Sequence, residues 1–231
     1  MTRSFSFGGH IFEVAGDAGL YWPDQRALLV ADLHLEKASA FAVGGQMLPP
    51  YDSVATLHAL ETLAGHYPVE TVFCLGDNFH DDAGEQRLGG QAAALLRGLV
   101  ARTNWVWITG NHDRGLTGRW GGQSAIEVEV GGIVLRHEAE KDCTHPEISG
   151  HFHPKFRQQV RGRMVSRRCF VRSERKLIMP AFGALTGGLD AGHVAIMTAC
   201  DLGPDERAEA LVPMRNAMAC FDLSALSALA K

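Results

Sequence analysis

Short apolar runs and longer amphipathic stretches alternate through the first half of this chain. ALLVA (27–31), TVFCL (71–75), WVWIT (105–109) and IVLR (133–136) have the length and continuity of buried strands. After the first run, Val54, Leu57, Leu60, Leu63 and Ala64 recur at three-to-four spacing. After the second, Leu88, Ala92, Leu95 and Leu99 do the same within EQRLGGQAAALLRGLVAR. Both stretches predict amphipathic helices packed on a sheet. Strand, helix, strand, helix implies a largely parallel α/β arrangement in this half.

From about residue 125 the pattern changes to strand-like segments separated by short Gly-containing turns. AIEVEVGGIVLRHE, FRQQVRGRMVSRRCFV, RKLIMPAF and HVAIMTA predict an antiparallel sheet. There is no internal repeat and no Pro- or Ser-rich linker, so one compact domain over residues 1–200 is expected. Residues 201–231 read as a C-terminal extension packed on it, ending in LSALSALAK, a short helix or a frayed tail.

Composition narrows the class. At 231 residues with 46% hydrophobic content, the chain can bury a full core. The first twenty residues hold no apolar run of signal-peptide length, and no segment approaches a membrane span. Cys74, Cys143, Cys169, Cys200 and Cys220 are odd in number, scattered and never in a C-x-x-C pair. That usage predicts reduced thiols in a cytoplasmic protein, without a zinc ribbon.

The net charge of −4 conceals an asymmetry. Residues 155–176 hold nine of the chain's 22 Lys and Arg but only Glu174 of its 26 acids, leaving 13 basic and 25 acidic residues elsewhere. One segment is strongly basic within an acidic whole.

Ligand-type residues follow nearly every predicted strand. LLVA leads to Asp32 and His34, VFCL to Gly76-Asp77, and VWIT to Gly110-Asn111-His112-Asp113. IVLR leads to His137, and EIS to Gly150-His151-Phe152-His153. The carboxyl ends of strands in an α/β sheet converge on one ligand-binding edge. Residues at i and i+2 of an extended segment project to the same side, which suits Asp32 with His34 and His151 with His153. Each piece alone is commonplace: an Asp after a strand can cap a helix, and Asn111 can be a turn residue. Together, two carboxylates, four imidazoles and one carboxamide, without a thiolate, suit two borderline divalent ions such as manganese, iron or zinc.

D-x-H, G-D, G-N-H-D, an isolated His and G-H-x-H, in this order over about residues 27–190, resemble the calcineurin-like metallophosphoesterase superfamily. The resemblance implies a four-layer α/β/β/α sandwich with a two-metal site at one sheet edge. By position, Asp32, His34 and His153 would hold one metal, Asn111, His137 and His151 the other, and Asp77 would bridge them. His112 would contact the scissile phosphate and assist the leaving group. Such metal pairs, about 3.5–4 Å apart, activate a bridging water for in-line attack. Two divalent ions against two carboxylates and a hydroxide leave about +1 by formal counting, so an acidic protein can still bind phosphate.

Two departures stand out. Many family members read G-D-x-x-D, the second Asp orienting the G-N-H histidine; here His80 stands there, followed by Asp81. Either Asp81 substitutes, or His80 itself contacts the phosphate. His137 is followed by Glu138 where the family often has Gly.

G-D-x-F-H-D, the loop AVGGQMLPPYD and the segment PAFGALTGGLD further resemble one branch, the bacterial ligase-associated DNA damage response endonucleases. These are encoded beside a DNA ligase, a helicase and an exonuclease. That resemblance implies manganese-dependent cleavage of DNA, preferentially single-stranded, in repair. The basic segment bears on it independently. It begins two residues after His153, so Lys155, Arg157, Arg161, Arg163, Arg167 and Arg168 are candidates to track a phosphate backbone. The competing reading of the segment is a solvated hairpin paired to acids elsewhere. Phe156 and Phe170 are either base-stacking or sheet-packing residues. His10, His58, His66, His145 and His193 match no motif and read as structural. The competing functions are a phosphomonoesterase or nucleotide phosphohydrolase on the same metals, and a non-catalytic scaffold.

Overall fold

The computed structural model describes residues 3–203 and 205–223. The segment LSALSALAK (223–231) lies outside the described residues except for Leu223. Three antiparallel strands come first: β1 (Ser4–Phe7), β2 (His10–Ala15) and β3 (Gly19–Trp22). They continue into β4 (Ala27–Val30), which pairs with them antiparallel. Then follow α1 (Lys37–Val43), α2 (Asp52–His66), β5 (Thr71–Leu75), α3 (Gly84–Arg87) and α4 (Gly90–Arg102). β6 (Asn104–Ile108) and β7 (Gln123–Ala125) complete a sheet ordered β1-β2-β3-β4-β5-β6-β7. β4, β5 and β6 pair parallel, as the alternation of apolar runs and helices predicts, and β7, which that alternation does not predict, joins β6 parallel with no helix between them.

The second sheet uses β8 (Glu127–Val130), β9 (Ile133–Arg136) and β10 (Glu147–Ser149). β11 (Lys155–Val160) and β12 (Arg163–Arg168) then form a separate hairpin. β13 (Phe170–Arg172) and β14 (Lys176–Ile178) return to the sheet, α5 (Val194–Ala199) follows, and β15 (Glu209–Pro213) and β16 (Met218–Asp222) finish it. Its order is β16-β15-β13-β14-β10-β9-β8. A division at residue 200 therefore falls inside one sheet.

Strand alternation sorts the side chains into layers. On β4, Leu28 and Val30 face α2 and α4, packing with Leu57, Leu60, Leu96 and Leu99. Ala27 and Leu29 face the second sheet, joining Phe73, Leu135, Ile148 and Leu177. The outer face of the second sheet packs Val171 and Ile178 against Ile196 of α5 and Cys200 just beyond it. The result is the expected α/β/β/α sandwich of two mixed sheets. Among the described residues, no helix is long and apolar enough to cross a membrane.

Three local expectations are corrected. The antiparallel second sheet has a parallel centre, because β10 pairs parallel with both β9 and β14. HVAIMTA is helical, not extended: the His193 side chain caps it by accepting from the Ala195 N–H, and Ile196 is buried while Val194 is exposed. The helix expected over EQRLGGQAAALLRGLVAR breaks at Leu88–Gly89, where Gly89 is extended. Its buried face runs through Ala92, Ala93, Leu96 and Leu99, with Leu95 only partly covered.

Candidate metal centre

β4, β5 and β6 end on the same edge, and the loops that leave them are stitched together. His34 N–H donates to the Asp77 carbonyl at 2.8 Å, and Leu35 N–H to that of Asn78 at 2.9 Å. Asp32, His34, Asp77, His151 and His153 all have positive φ, between 45° and 71°. The extended geometry expected for the D-x-H and H-x-H pairs is thus incorrect. Both members of each pair are left-handed, and the intervening residues are not, so the shared side arises from alternating backbone hand. Such conformations cost about 1–3 kcal/mol each and persist only where surroundings impose them.

Asp113 supplies part of that imposition. Buried at 1% exposure, it accepts from Gly110 N–H (2.8 Å), Asn78 N–H (2.7 Å) and Phe79 N–H (3.2 Å). Burial raises its pKa, and these donors pull it back down. Asp113 matches no ligand position, and its place directly after the histidine of G-N-H-D is the sequence signal for this role. The motif glycines have a steric reason. A Cβ on Gly76 would stand 2.2 Å from His137 Nδ1, and one on Gly110 would stand 2.2 Å from Asp77 Oδ1.

The ligand-type side chains meet as two adjoining groups, Asp32–His34–His153 and Asp77–His137–His151, with donor atoms inside each group within 4.8 Å. In the first, His153 Nε2 is 3.4 Å from Asp32 Oδ1 and 3.3 Å from His34 Nε2. In the second, Asn111 Oδ1 lies 2.9 Å from His137 Nε2 and 3.1 Å from His151 Nδ1. Asp77 faces both: Oδ1 is 3.5 Å from His137 Nε2, and Oδ2 is 3.7 Å from His34 Nε2.

Ring nitrogens crowd together here, His34 lying 3.3 Å from His153 and 3.4 Å from His80. Burial, then the neighbouring His153, Lys37, His80 and His112, push His34 down to about 2. Burial also lowers the pKa of His80 and His151. His137 Nδ1 lies 3.2 Å from the Leu75 carbonyl; donating there leaves the Nε2 lone pair aimed at Asn111 and Asp77. Asp32 and Asp77 are 0% and 3% exposed, and among the described residues their only ion-pair partners are these histidines. Two buried carboxylates without a protein cation carry a desolvation cost of several kcal/mol each. A mixed O/N set of this kind fits divalent cations well.

His112 stands at the mouth, its side chain 42% exposed and Nε2 4.0 Å from Asp77 Oδ2. Its Nδ1 is 2.9 Å from the His80 carbonyl oxygen. Asp81 does not take the missing Asp's role, since it pairs with Arg87 at 2.8 Å. The His80 ring lies stacked between those of Phe41 and His112, with centroids 5.6 and 5.4 Å away. Glu138 Oε1 approaches His151 Nε2 at 3.6 Å. A cleft of about 570 Å³ opens beside the second group, lined by Asn111, Arg114, His137 and Glu138 among others.

The basic segment divides. Arg172, Arg175 and Lys176 pair with Glu209, Glu206 and Glu147 in the body of the protein. Among the described residues, the six hairpin cations form no ion pair. Arg168 and Arg157 donate to the carbonyls of Gly183 (2.6 Å) and Gly188 (3.0 Å), and Lys155 donates to that of Thr186 (3.2 Å). Those three anchor the hairpin to the 183–188 loop, whereas Arg161, Arg163 and Arg167 are exposed. Phe156 is buried against Phe221 and Phe170 lies in the core, so neither is free to stack a base. Of the unassigned histidines, His10 bonds Asp24 and the Gly131 carbonyl, and His58 and His66 are exposed on α2.

Residues 25–161 match the model of the calcineurin-like phosphoesterase family. The structure superposes on the nuclease MPE of Pseudomonas putida with a TM-score of 0.69 and 29% identity, over 91% of this chain and 96% of that one. A protein of unknown function from Aquifex aeolicus aligns at TM-score 0.40 and 16% identity, over 55% of this chain and 78% of that one. Vps29 from Entamoeba histolytica, complexed with zinc, aligns at TM-score 0.34 and 13% identity, over 85% and 98%. Comparison with curated proteins gives no match. Because the matched family model spans more than half of its length, the chain belongs to the calcineurin-like phosphoesterase family.

Proposed function

We propose that this protein is a two-metal phosphodiesterase that cleaves single-stranded DNA. In this reading Asp32, His34 and His153 hold one ion, Asn111, His137 and His151 the other, and Asp77 both. When bound, two divalent ions supply Lewis acidity and an activated water for in-line attack on a phosphodiester. Manganese is the expected pair, with iron and zinc chemically compatible. His112, its Nδ1–H donating to the His80 carbonyl, turns Nε2 toward the reacting phosphate; as the imidazolium, with a second proton on Nε2, it would hold a phosphate oxygen and pass that proton to the leaving group. The His80 ring flanks it.

The observation that carries the DNA reading is the cationic hairpin that starts two residues after His153. Among the described residues its charges pair with no acid, and burial, then repulsion from Arg168 and Arg157, lowers the pKa of Lys155. A positive ribbon leading from a metal edge tracks a polyanionic strand, and a mononucleotide needs no such length. The name of the Pseudomonas putida neighbour, a nuclease, points the same way. A role in cytoplasmic DNA repair, beside a ligase, a helicase and an exonuclease, follows from the sequence resemblance.

The test is incubation with manganese and circular single-stranded DNA, and in parallel with nitrophenyl phosphate monoesters and diesters. Linearised DNA with weak monoester turnover is the expected result. Turnover confined to monoesters overturns it, and inertness with manganese, iron and zinc favours a scaffold. Asp77→Ala should lose bound metal from both groups, read by elemental analysis.

A further inference from the structure

Phe41 is an aromatic residue that does no core packing. It belongs to none of the three apolar clusters, and its ring lies instead on His80, 25° from parallel. Its helix, α1, turns Ala38 into the protein. Lys37 precedes Phe41 by four residues and so shares its face of the helix. Lys37 is half-buried there. Among the described residues the ammonium forms no ion pair. The nearby Asp52 carboxylate is held by the Ala38 N–H at 3.0 Å.

Beside this face lies a cleft of about 350 Å³, lined by Ala40, Phe41, Gly44, Gln46, His80 and Asp81. That volume falls in the range of small-ligand sites. Its one acid, Asp81, is neutralised by Arg87. Its floor adjoins the metal edge, because His80 Nδ1 is 3.4 Å from His34 Nδ1. A half-buried cation and an aromatic ring outside the apolar clusters, one face on His80, at the end of a phosphate-cleaving edge match the two parts of a nucleotide.

We propose that Lys37 and Phe41 form a subsite for the nucleotide next to the scissile phosphate, with Lys37 holding a phosphate oxygen and Phe41 stacking the base. The inference rests on the DNA phosphodiesterase reading and adds a requirement for a base beside the cut. It also makes α1 a specificity element, because a diester without a base forgoes the stack.

The test uses the full chain with manganese and two single-stranded oligonucleotides, one intact and one with an abasic unit beside the cleavage position. For the wild-type protein, removing the base should lower kcat/KM by about 5- to 150-fold, the range of one base–aromatic stack. Phe41→Ala should lose a similar factor on the intact strand and little further on the abasic one, and Phe41→Trp should restore the difference. Lys37→Ala should raise KM and flatten the log–log salt dependence by about 0.7, with Lys37→Arg preserving it. Equal cleavage of both strands by the wild type overturns the subsite while leaving the nuclease reading intact. An equal loss on both strands in Phe41→Ala assigns Phe41 only to support of His80. No cleavage of either strand by the wild type overturns both readings.

Discussion

His112 Nδ1 lies 2.9 Å from the backbone carbonyl oxygen of His80. A carbonyl can only accept, so Nδ1 carries the proton and Nε2 is left facing Asp77 Oδ2 and the open cleft. Main chain thus orients the ring that an Asp side chain orients in the G-D-x-x-D pattern. The tautomer survives any substitution at His80 that preserves the loop.

His112→Ala is accordingly expected to lower kcat by about 10²–10⁴-fold with metal content unchanged. His80→Ala should lose less, since its carbonyl remains. Steady-state kinetics with elemental analysis of both variants checks this. A His112→Ala protein with wild-type kcat removes that residue from the chemistry.

How much of this was legible beforehand varies by residue. Asp32, Asp77 and Asn111 were readable because each follows an unbroken apolar strand, and the parallel pairing of those strands forces their ends onto one edge. The left-handed backbone at His34 and His151 was not readable, since it comes with bonds from outside each motif, His34 N–H to the Asp77 carbonyl and His151 N–H to the Asp32 carboxylate. The parallel centre of the second sheet was hidden too. β10 reaches β14 through the β11–β12 hairpin and β13 rather than through a helix, so the usual marker of a crossover is missing. Phe41 belongs to none of the motifs, and only the fold brings its ring onto His80.

The hairpin arginines separate into two kinds. Arg161, Arg163 and Arg167 are exposed and unpaired, so replacing all three by Ala should weaken single-stranded DNA binding. The log–log salt slope should flatten by about 0.7 for each phosphate contact removed. Arg168→Ala removes the donor to the Gly183 carbonyl and should loosen the 183–188 loop, read by faster amide exchange there. If the triple variant keeps the wild-type salt slope, the exposed arginines do not touch the backbone of the nucleic acid.

Lys176 sits among the basic residues in sequence, yet it is 1% exposed and donates to Glu147 Oε1 at 2.7 Å and to the Glu140 carbonyl. Glu147 is fully buried, so Lys176→Met would strand its carboxylate. The expected destabilisation is about 3–5 kcal/mol, measured by urea unfolding. Lys176→Met with Glu147→Gln should recover part of that loss, because the uncompensated charge is then gone. A single variant as stable as the wild type would mean that Arg136, 3.5 Å from Glu147 Oε2, carries the compensation alone.

Gly110 offers a direct probe of the metal edge. Its φ is outside the left-handed region, so alanine meets no backbone penalty there, and any effect comes from contact alone. A Cβ would lie 2.2 Å from Asp77 Oδ1 and 2.3 Å from Asp77 N, closer than any real contact. The carboxylate that faces both groups of ligands must move, and the ends of β5 and β6 must part. Gly110→Ala is therefore expected to lower thermal stability and to lose metal from both groups. Gly98→Ala, an open position on α4, serves as the matched control, because its Cβ meets nothing within 4 Å. Two tightly bound ions in Gly110→Ala would show that Asp77 is not the shared ligand.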